Sequence, residues 1–183
     1  MSVTTIMLKL SKLDAAKGQL ETAICLWFSS GEPVSIHTLA AAAHQILHDL
    51  GKSKGTPTTL RGLPMVRPEY KKYVRKLVSS YENFFKHADS DAADTLIFNP
   101  AATEIFIFDA VRVYVALTRQ STPILFTFTT WFLIRNPSLL IMKEQHREKL
   151  IQTLKNMEKD VTQMPKAAFF SFVLPLCTSA LQD

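Results

Sequence analysis

The sequence predicts an all-α protein, a single-domain bundle of about six or seven helices over residues 1–183. Apolar residues recur at three- and four-residue intervals along most of the chain, which is the spacing of one helix face. Only five glycines are present, too few for the many tight turns of an all-β protein. Hydrophobic types make up 47% and charged types 20% of the 183 residues, so the composition excludes disordered, collagen-like and disulfide-rich classes.

Two amphipathic helices are predicted near the start of the chain. Ser11 stands three positions before Asp14, a capping-box pattern that begins a helix ending before Ser29. A second helix is expected to begin after Ser35 and to end at Gly51, with its apolar residues again on one face.

The next segment, 51–68, is predicted to be an exposed basic loop. It is rich in Gly and Pro, and loops of this length are usually functional or mobile. A third helix should open near Pro68 and Glu69, with one apolar face and one basic face.

Two dipeptides divide the apolar stretch that follows. Asn99–Pro100 and Thr122–Pro123 each place a capping residue before a proline, which marks a helix start. The sequence therefore predicts a buried helical hairpin over 101–134, with Asp109 and Arg112 paired at i, i+3.

The last part of the chain predicts two more helices. Asn136–Pro137 is expected to open a long helix that carries Leu139 at its start and Val161 at its end. A final helix should begin at Pro165, and Pro175 should kink or break it, because proline lacks the N–H of the helical hydrogen bond.

The net charge of +5 comes from one segment. Residues 52–76 hold eight basic side chains and one acidic one, whereas 89–109 hold five acids and no Lys or Arg. Such a basic patch binds phosphates or an acidic partner; the alternative is a solvated face that only aids solubility. The residues predicted to bind nucleic acid or an acidic partner are Lys71, Lys72, Arg75, Lys76, Arg61 and Arg67.

The hexapeptide Glu82–His87 closes the third predicted helix. It resembles the motif of the HEPN superfamily, small helical bundles found in many prokaryotic toxins and RNA-cleaving defence proteins. In that family an arginine, usually followed by a polar residue, stands a few positions before a histidine. Asn83 matches the polar residue and His87 the histidine, while Glu82 occupies the position of the arginine. The stretch Phe84–Asp89 is also similar to segments of bacterial helical proteins of unassigned function.

The resemblance implies a homodimer whose two motifs meet at RNA, with His87, Asn83 and Lys86 as candidate catalytic residues. The arginine would stabilise negative charge on the cleaved phosphate, whereas Glu82 repels it. Lys86 offers a point charge without the bidentate fork of arginine. We therefore expect a HEPN-like module that binds RNA or a protein partner and does not cleave RNA efficiently. The local alternative for His87 is a residue that caps the helix C-terminus.

Three histidines on the second predicted helix suggest a different function. His37, His44 and His48 lie in one stripe beside the apolar face, where we expect them to flank the core. His44 and His48, at i and i+4, have the spacing by which two helical histidines bind one metal ion. A third ligand would come from another helix, with His87 or the aspartates that follow it as candidates. This alternative is a metal-dependent helical enzyme; packing and hydrogen bonding would explain the histidines equally.

Other features narrow the class of protein. Neither a glycine-rich phosphate loop nor a Cys-x-x-Cys pair occurs, so no cofactor is expected. Cys25 and Cys177 are far apart in sequence and favour a reducing compartment. The longest apolar stretch, 123–134, is shorter than the roughly 20 residues of a membrane span. We expect a cytoplasmic protein without a membrane partner, and a purely structural protein that docks on an acidic surface remains a third alternative.

Overall fold

The computed structural model describes residues 7–56, 60–61, 68–89, 92–136 and 161–180. Over these ranges the chain forms six helices and no strand, which confirms the all-α prediction. The helices are α1 (Lys12–Phe28), α2 (Pro33–Ser53), α3 (Pro68–Lys86), α4 (Ala102–Thr118), α5 (Pro123–Arg135) and α6 (Lys166–Ala180). Most of the helix predicted after Asn136 lies outside the described residues.

Side-chain caps fix the starts of the first two helices. The predicted capping box is confirmed: the Ser11 hydroxyl accepts from the Asp14 N–H at 3.1 Å, and the Asp14 carboxylate accepts from the Ser11 N–H at 2.9 Å. α2 begins at Pro33, three residues before Ile36, where the prediction of a start after Ser35 places it. Its N-cap is Glu32, whose carboxylate accepts from the N–H groups of Val34 and Ser35, as capping side chains do.

The predicted starts of the hairpin agree with the structure to within two residues. The Asn99 side chain accepts from the Ala101 N–H at 3.1 Å, and α4 begins at the next residue. Thr122 caps α5, with its hydroxyl accepting from the Leu125 N–H. Each turn therefore satisfies a backbone donor that the helix itself leaves unpaired.

Of the two effects predicted for Pro175, a kink or a break of the last helix, the break was wrong, since α6 continues to Ala180; the kink stays a prediction. Proline removes the hydrogen bond to the carbonyl four residues earlier, here that of Ser171. Both Pro175 and Ser171 are exposed, so water can hydrate the freed carbonyl and the helix tolerates the loss.

The core forms where α2 packs against α1 on one side and α4 on the other. Alanines such as Ala40 and Ala43 allow close approach of the helices, and Leu20, Leu47 and Ile107 fill the space between them without exposure to solvent. Among the described residues, no helix is both long and apolar enough to cross a membrane.

Aromatic rings join α1, α5 and α6. Phe28 and Phe128 are fully buried, with ring centroids 6.3 Å apart, and Phe28 also stacks on Phe169. On the outer side of the hairpin, Phe108 of α4 stacks on Phe132 of α5 at 4.1 Å. Phe108 is only partly buried, so the centre of this aromatic core lies at Phe128.

Candidate functional site

An exposed polar face runs along α3 into the residue that follows it. Lys72, Lys76, Asn83, Lys86 and His87 are all exposed, and their spacing places them on one side of the helix. We call these five residues the α3 stripe. It extends about 22 Å along the helix axis.

The candidate catalytic residues lie at one end of this stripe. α3 ends at Lys86, and the N–H of His87 donates to the Asn83 carbonyl at 3.0 Å. Of the residues predicted to bind phosphate, Lys72 and Lys76 are exposed. Arg67 and the side chains of Lys71 and Arg75 lie outside what the structure describes.

Glu82, which stands at the position of the HEPN arginine, faces inward and is 7% exposed. Its carboxylate accepts from the Arg61 guanidinium at 2.6 Å and lies 3.4 Å from the Lys86 ammonium. Arg61 was expected in an exposed basic loop, but this ion pair draws it into a largely buried position. Arg61 therefore belongs to the interior of the fold and not to an outward binding surface.

Arg61 also fixes the protonation of His44, which is 1% exposed. The Arg61 Nε–H donates to Nδ1 of His44 at 3.1 Å. Because a guanidinium only donates, Nδ1 must carry a lone pair and the proton must lie on Nε2. His44 Nε2 then donates to the Asp109 carboxylate at 2.8 Å. His44 is thus a neutral imidazole that joins a cation to an anion.

The carboxylate of Asp109 of α4 accepts hydrogen bonds from three residues although Asp109 is only 3% exposed. Besides His44, it accepts from the Leu60 N–H at 3.0 Å and from Arg112 at 3.0 Å. The predicted pairing of Asp109 with Arg112 is confirmed. Burial by itself raises the pKa of Asp109, but the hydrogen bonds from His44, Leu60 and Arg112 outweigh it and hold the pKa well below its ordinary value.

These contacts join Arg112, Asp109, His44, Arg61 and Glu82 into one chain that is largely buried except at Arg112. We call it the buried polar chain. It ties α4, α2 and α3 to the short segment 60–61. An Asp–His pair acts as a general base in many enzymes, but the second imidazole nitrogen must then face the substrate. Here Arg61 occupies that nitrogen and His44 is buried, so the chain anchors the fold and presents no base to solvent.

The geometry around His44 also bears on the metal alternative. Both of its ring nitrogens are engaged, whereas ligation requires a free lone pair. His48 is partly buried and lines a cavity of about 300 Å³ with Gln45, Asp49 and Arg61. In the parts of the chain that the structure describes, no group of three or more His, Cys, Asp or Glu side chains is placed to hold a metal ion.

The expectation that the histidine stripe only flanks the core was wrong, because α4 packs against α2 along this stripe. His37 is fully buried and its Nδ1 lies 2.9 Å from the Thr103 hydroxyl. The rings of four aromatic residues surround it at centroid distances of 4.9 to 5.9 Å. Burial lowers the pKa of His37 from 6.5 to about 4, partly opposed by Glu82.

This burial of His37 makes the protein sensitive to mild acid. Between pH 6.5 and about 4 the unfolded chain binds a proton at His37 that the folded chain does not. Stability therefore falls as the pH falls through this window, by about 2 kcal/mol between pH 7 and pH 5. Urea unfolding at both pH values checks the loss. His37→Phe should flatten it, whereas His87→Phe, which changes an exposed histidine, should leave it unchanged; equal behaviour of the two variants would contradict the assignment.

The sequence analysis did not predict two contacts of the buried polar chain, that of Asp109 with His44 and that of Glu82 with Arg61. A carboxylate within a mostly apolar helix is rarely buried without a partner, which was the available signal for Asp109.

No protein-family model matches the chain, and neither curated proteins nor solved structures show a significant match to it. Fold and site together define an all-α protein in which the α3 stripe forms an exposed basic helix face and the buried polar chain links the helices behind it.

Proposed function

We propose that this protein binds single-stranded RNA through the α3 stripe, by weak electrostatic contacts and without catalysing its cleavage. One observation carries the proposal. Between residues 72 and 87 the only acidic residue is Glu82, and Glu82 is buried against Arg61. Its inward placement leaves Lys72, Lys76 and Lys86 as the lysines of the α3 stripe, and clustered lysines attract phosphates.

The other residues of the α3 stripe favour RNA over an acidic protein as the partner. Asn83 and His87 are exposed beside Lys86, and amide and imidazole groups can hydrogen-bond to bases and to 2′-hydroxyls in single-stranded RNA. The resemblance of Glu82–His87 to the HEPN motif supports the same ligand. It also supports the proposal that two copies meet near His87, which sedimentation of the full chain would test.

Charge reversal on the stripe tests the proposal. We expect Lys72→Glu with Lys76→Glu to weaken binding of a fluorescent single-stranded RNA by about tenfold or more, because two phosphate contacts become repulsive. Lys9→Glu with Lys12→Glu is the matched control, since it changes the net charge by the same amount at two exposed positions near the start of the chain, outside α3. Fluorescence anisotropy measures both.

Equal weakening by the two pairs of substitutions would contradict a binding face on α3 and leave only a net-charge effect. Binding of an acidic protein by the wild type, with no RNA binding under the same conditions, would show that the stripe serves a protein partner instead. Circular dichroism of each variant verifies that the fold is retained.

We also expect no efficient cleavage of RNA. His87 has the chemistry of a general acid or base, but Lys86 is the only charged residue of the stripe next to it and is shared with Glu82. Incubation of labelled RNA with wild type and His87→Ala measures this, and strong wild-type cleavage that His87→Ala abolishes would contradict it. Glu82→Arg is not a clean test for gained activity, because the new guanidinium would face Arg61 in a largely buried position and destabilise the protein.

A further inference from the structure

A second concave site lies away from the α3 stripe, where the end of α1 and the starts of α2, α4 and α6 meet. The cavity measures about 380 Å³, within the range of small-molecule sites. Its walls are mostly apolar, with Ser30 and Thr103 as neutral polar residues and two charged side chains, Glu104 in the first turn of α4 and Lys166 at the start of α6. The apolar part of the lining includes Trp27, Pro33, Ile36 and Pro100.

The two charges in this cavity are only loosely paired. The Lys166 ammonium lies 3.9 Å from the Glu104 carboxylate, beyond hydrogen-bond distance, and 3.6 Å from the centroid of the Trp27 ring. No described residue donates a hydrogen bond to the Glu104 carboxylate. An ammonium has three donors and a carboxylate several acceptor sites, so both groups keep most of their hydrogen-bonding capacity.

Both side chains are also partly removed from water. Burial raises the pKa of Glu104, partly opposed by Lys166 and by Arg135, and burial lowers the pKa of Lys166, partly opposed by Glu104. Partly buried charges that are not hydrogen-bonded to each other are unfavourable in the free protein. A ligand that supplies the complementary charges would therefore relieve an existing electrostatic cost.

We propose that this cavity binds a free α-amino acid with an apolar or aromatic side chain. The ammonium of the ligand would donate to Glu104, and its carboxylate would accept from Lys166. These two ligand groups are separated by one carbon atom, which suits two protein charges 3.9 Å apart. A ligand with one charge satisfies only one of the two side chains, so the pair selects a zwitterion.

The remaining walls indicate the side chain of the amino acid. Trp27 of α1, Ile36 of α2 and the prolines Pro33 and Pro100 border the same cavity. These surfaces favour an apolar or aromatic side chain on the ligand by the hydrophobic effect.

Isothermal titration calorimetry of the full chain with L-phenylalanine tests this proposal. The comparison compounds are phenethylamine, which lacks the carboxylate, and 3-phenylpropionate, which lacks the ammonium. We expect L-phenylalanine to bind about tenfold or more tightly than either, because each comparison compound loses one charge-assisted contact. Glu104→Gln and Lys166→Met should each weaken L-phenylalanine by a similar factor, while the exposed Lys12→Met on α1 should have no effect.

Several results would overturn the proposal: no heat of binding with L-phenylalanine, equal affinity for the three compounds, or unchanged affinity in both cavity variants. Since Lys166 contacts Trp27, thermal unfolding of Lys166→Met is measured as well. Glu104→Gln preserves the shape of the side chain and provides the test if Lys166→Met does not fold. RNA binding by the α3 stripe involves none of these residues, so either proposal can fail without the other.

Discussion

Asp109→Ala is expected to lower the free energy of unfolding by about 3–5 kcal/mol, the usual cost of removing one partner from a buried charged pair. Asp109 accepts hydrogen bonds from His44, the Leu60 N–H and Arg112. Alanine supplies no acceptor, so the imidazole and the backbone N–H lose their bonds in a site that water does not reach easily. The substitution also leaves the positive charge of Arg61 next to a histidine that no longer contacts an anion.

Chemical denaturation at neutral pH measures this loss. Asp94→Ala is the matched control, because Asp94 is exposed and surface substitutions usually stay within about 0.5 kcal/mol. A loss below about 1 kcal/mol for Asp109→Ala would contradict the buried polar chain, since values of that size are typical of exposed ion pairs.

Phe128→Ala should be about equally severe, with a loss of about 3–5 kcal/mol. The Phe128 ring is fully buried and contacts Trp27 and Phe28 of α1 at centroid distances of 5.3 and 6.3 Å. Phe126, two residues earlier on the same helix, is 48% exposed and provides a control of identical chemistry. We expect Phe126→Ala to cost less than about 1 kcal/mol. Similar losses for the two variants would mean that α5 is rotated relative to the structure described above.

The helices could be predicted because their signals are local. The capping box at Ser11 and the Thr122–Pro123 start lie within a few residues of the backbone groups they satisfy, so a sequence window contains the whole interaction. The start of α2 was predicted three residues late because Glu32, an uncommon N-cap, takes the capping position in place of Ser35. The break at Pro175 was wrongly predicted because the effect of a proline depends on whether the freed carbonyl faces water, which only the packing decides.

The interior of the candidate site could not be predicted in the same way. His44 and Asp109 are 65 positions apart, and Arg61 and Glu82 are 21 apart, so no short window joins them. The pairing of Asp109 with Arg112, within one turn of helix, was the one contact of the buried polar chain that spacing alone revealed. The α3 stripe was visible as a basic segment, but the removal of Glu82 and Arg61 from its surface depends on tertiary structure.

The salt dependence of RNA binding tests the proposed function most directly. Fluorescence anisotropy with a single-stranded RNA, repeated over a range of salt concentrations, gives the slope of log K against log salt. Each phosphate contact contributes about 0.7 to the magnitude of that slope. We expect a clearly negative slope for the wild type and, for Lys72→Ala with Lys76→Ala, a magnitude smaller by about 1.4. Binding that does not respond to salt, or a slope that the two substitutions leave unchanged, would contradict RNA recognition by the α3 stripe.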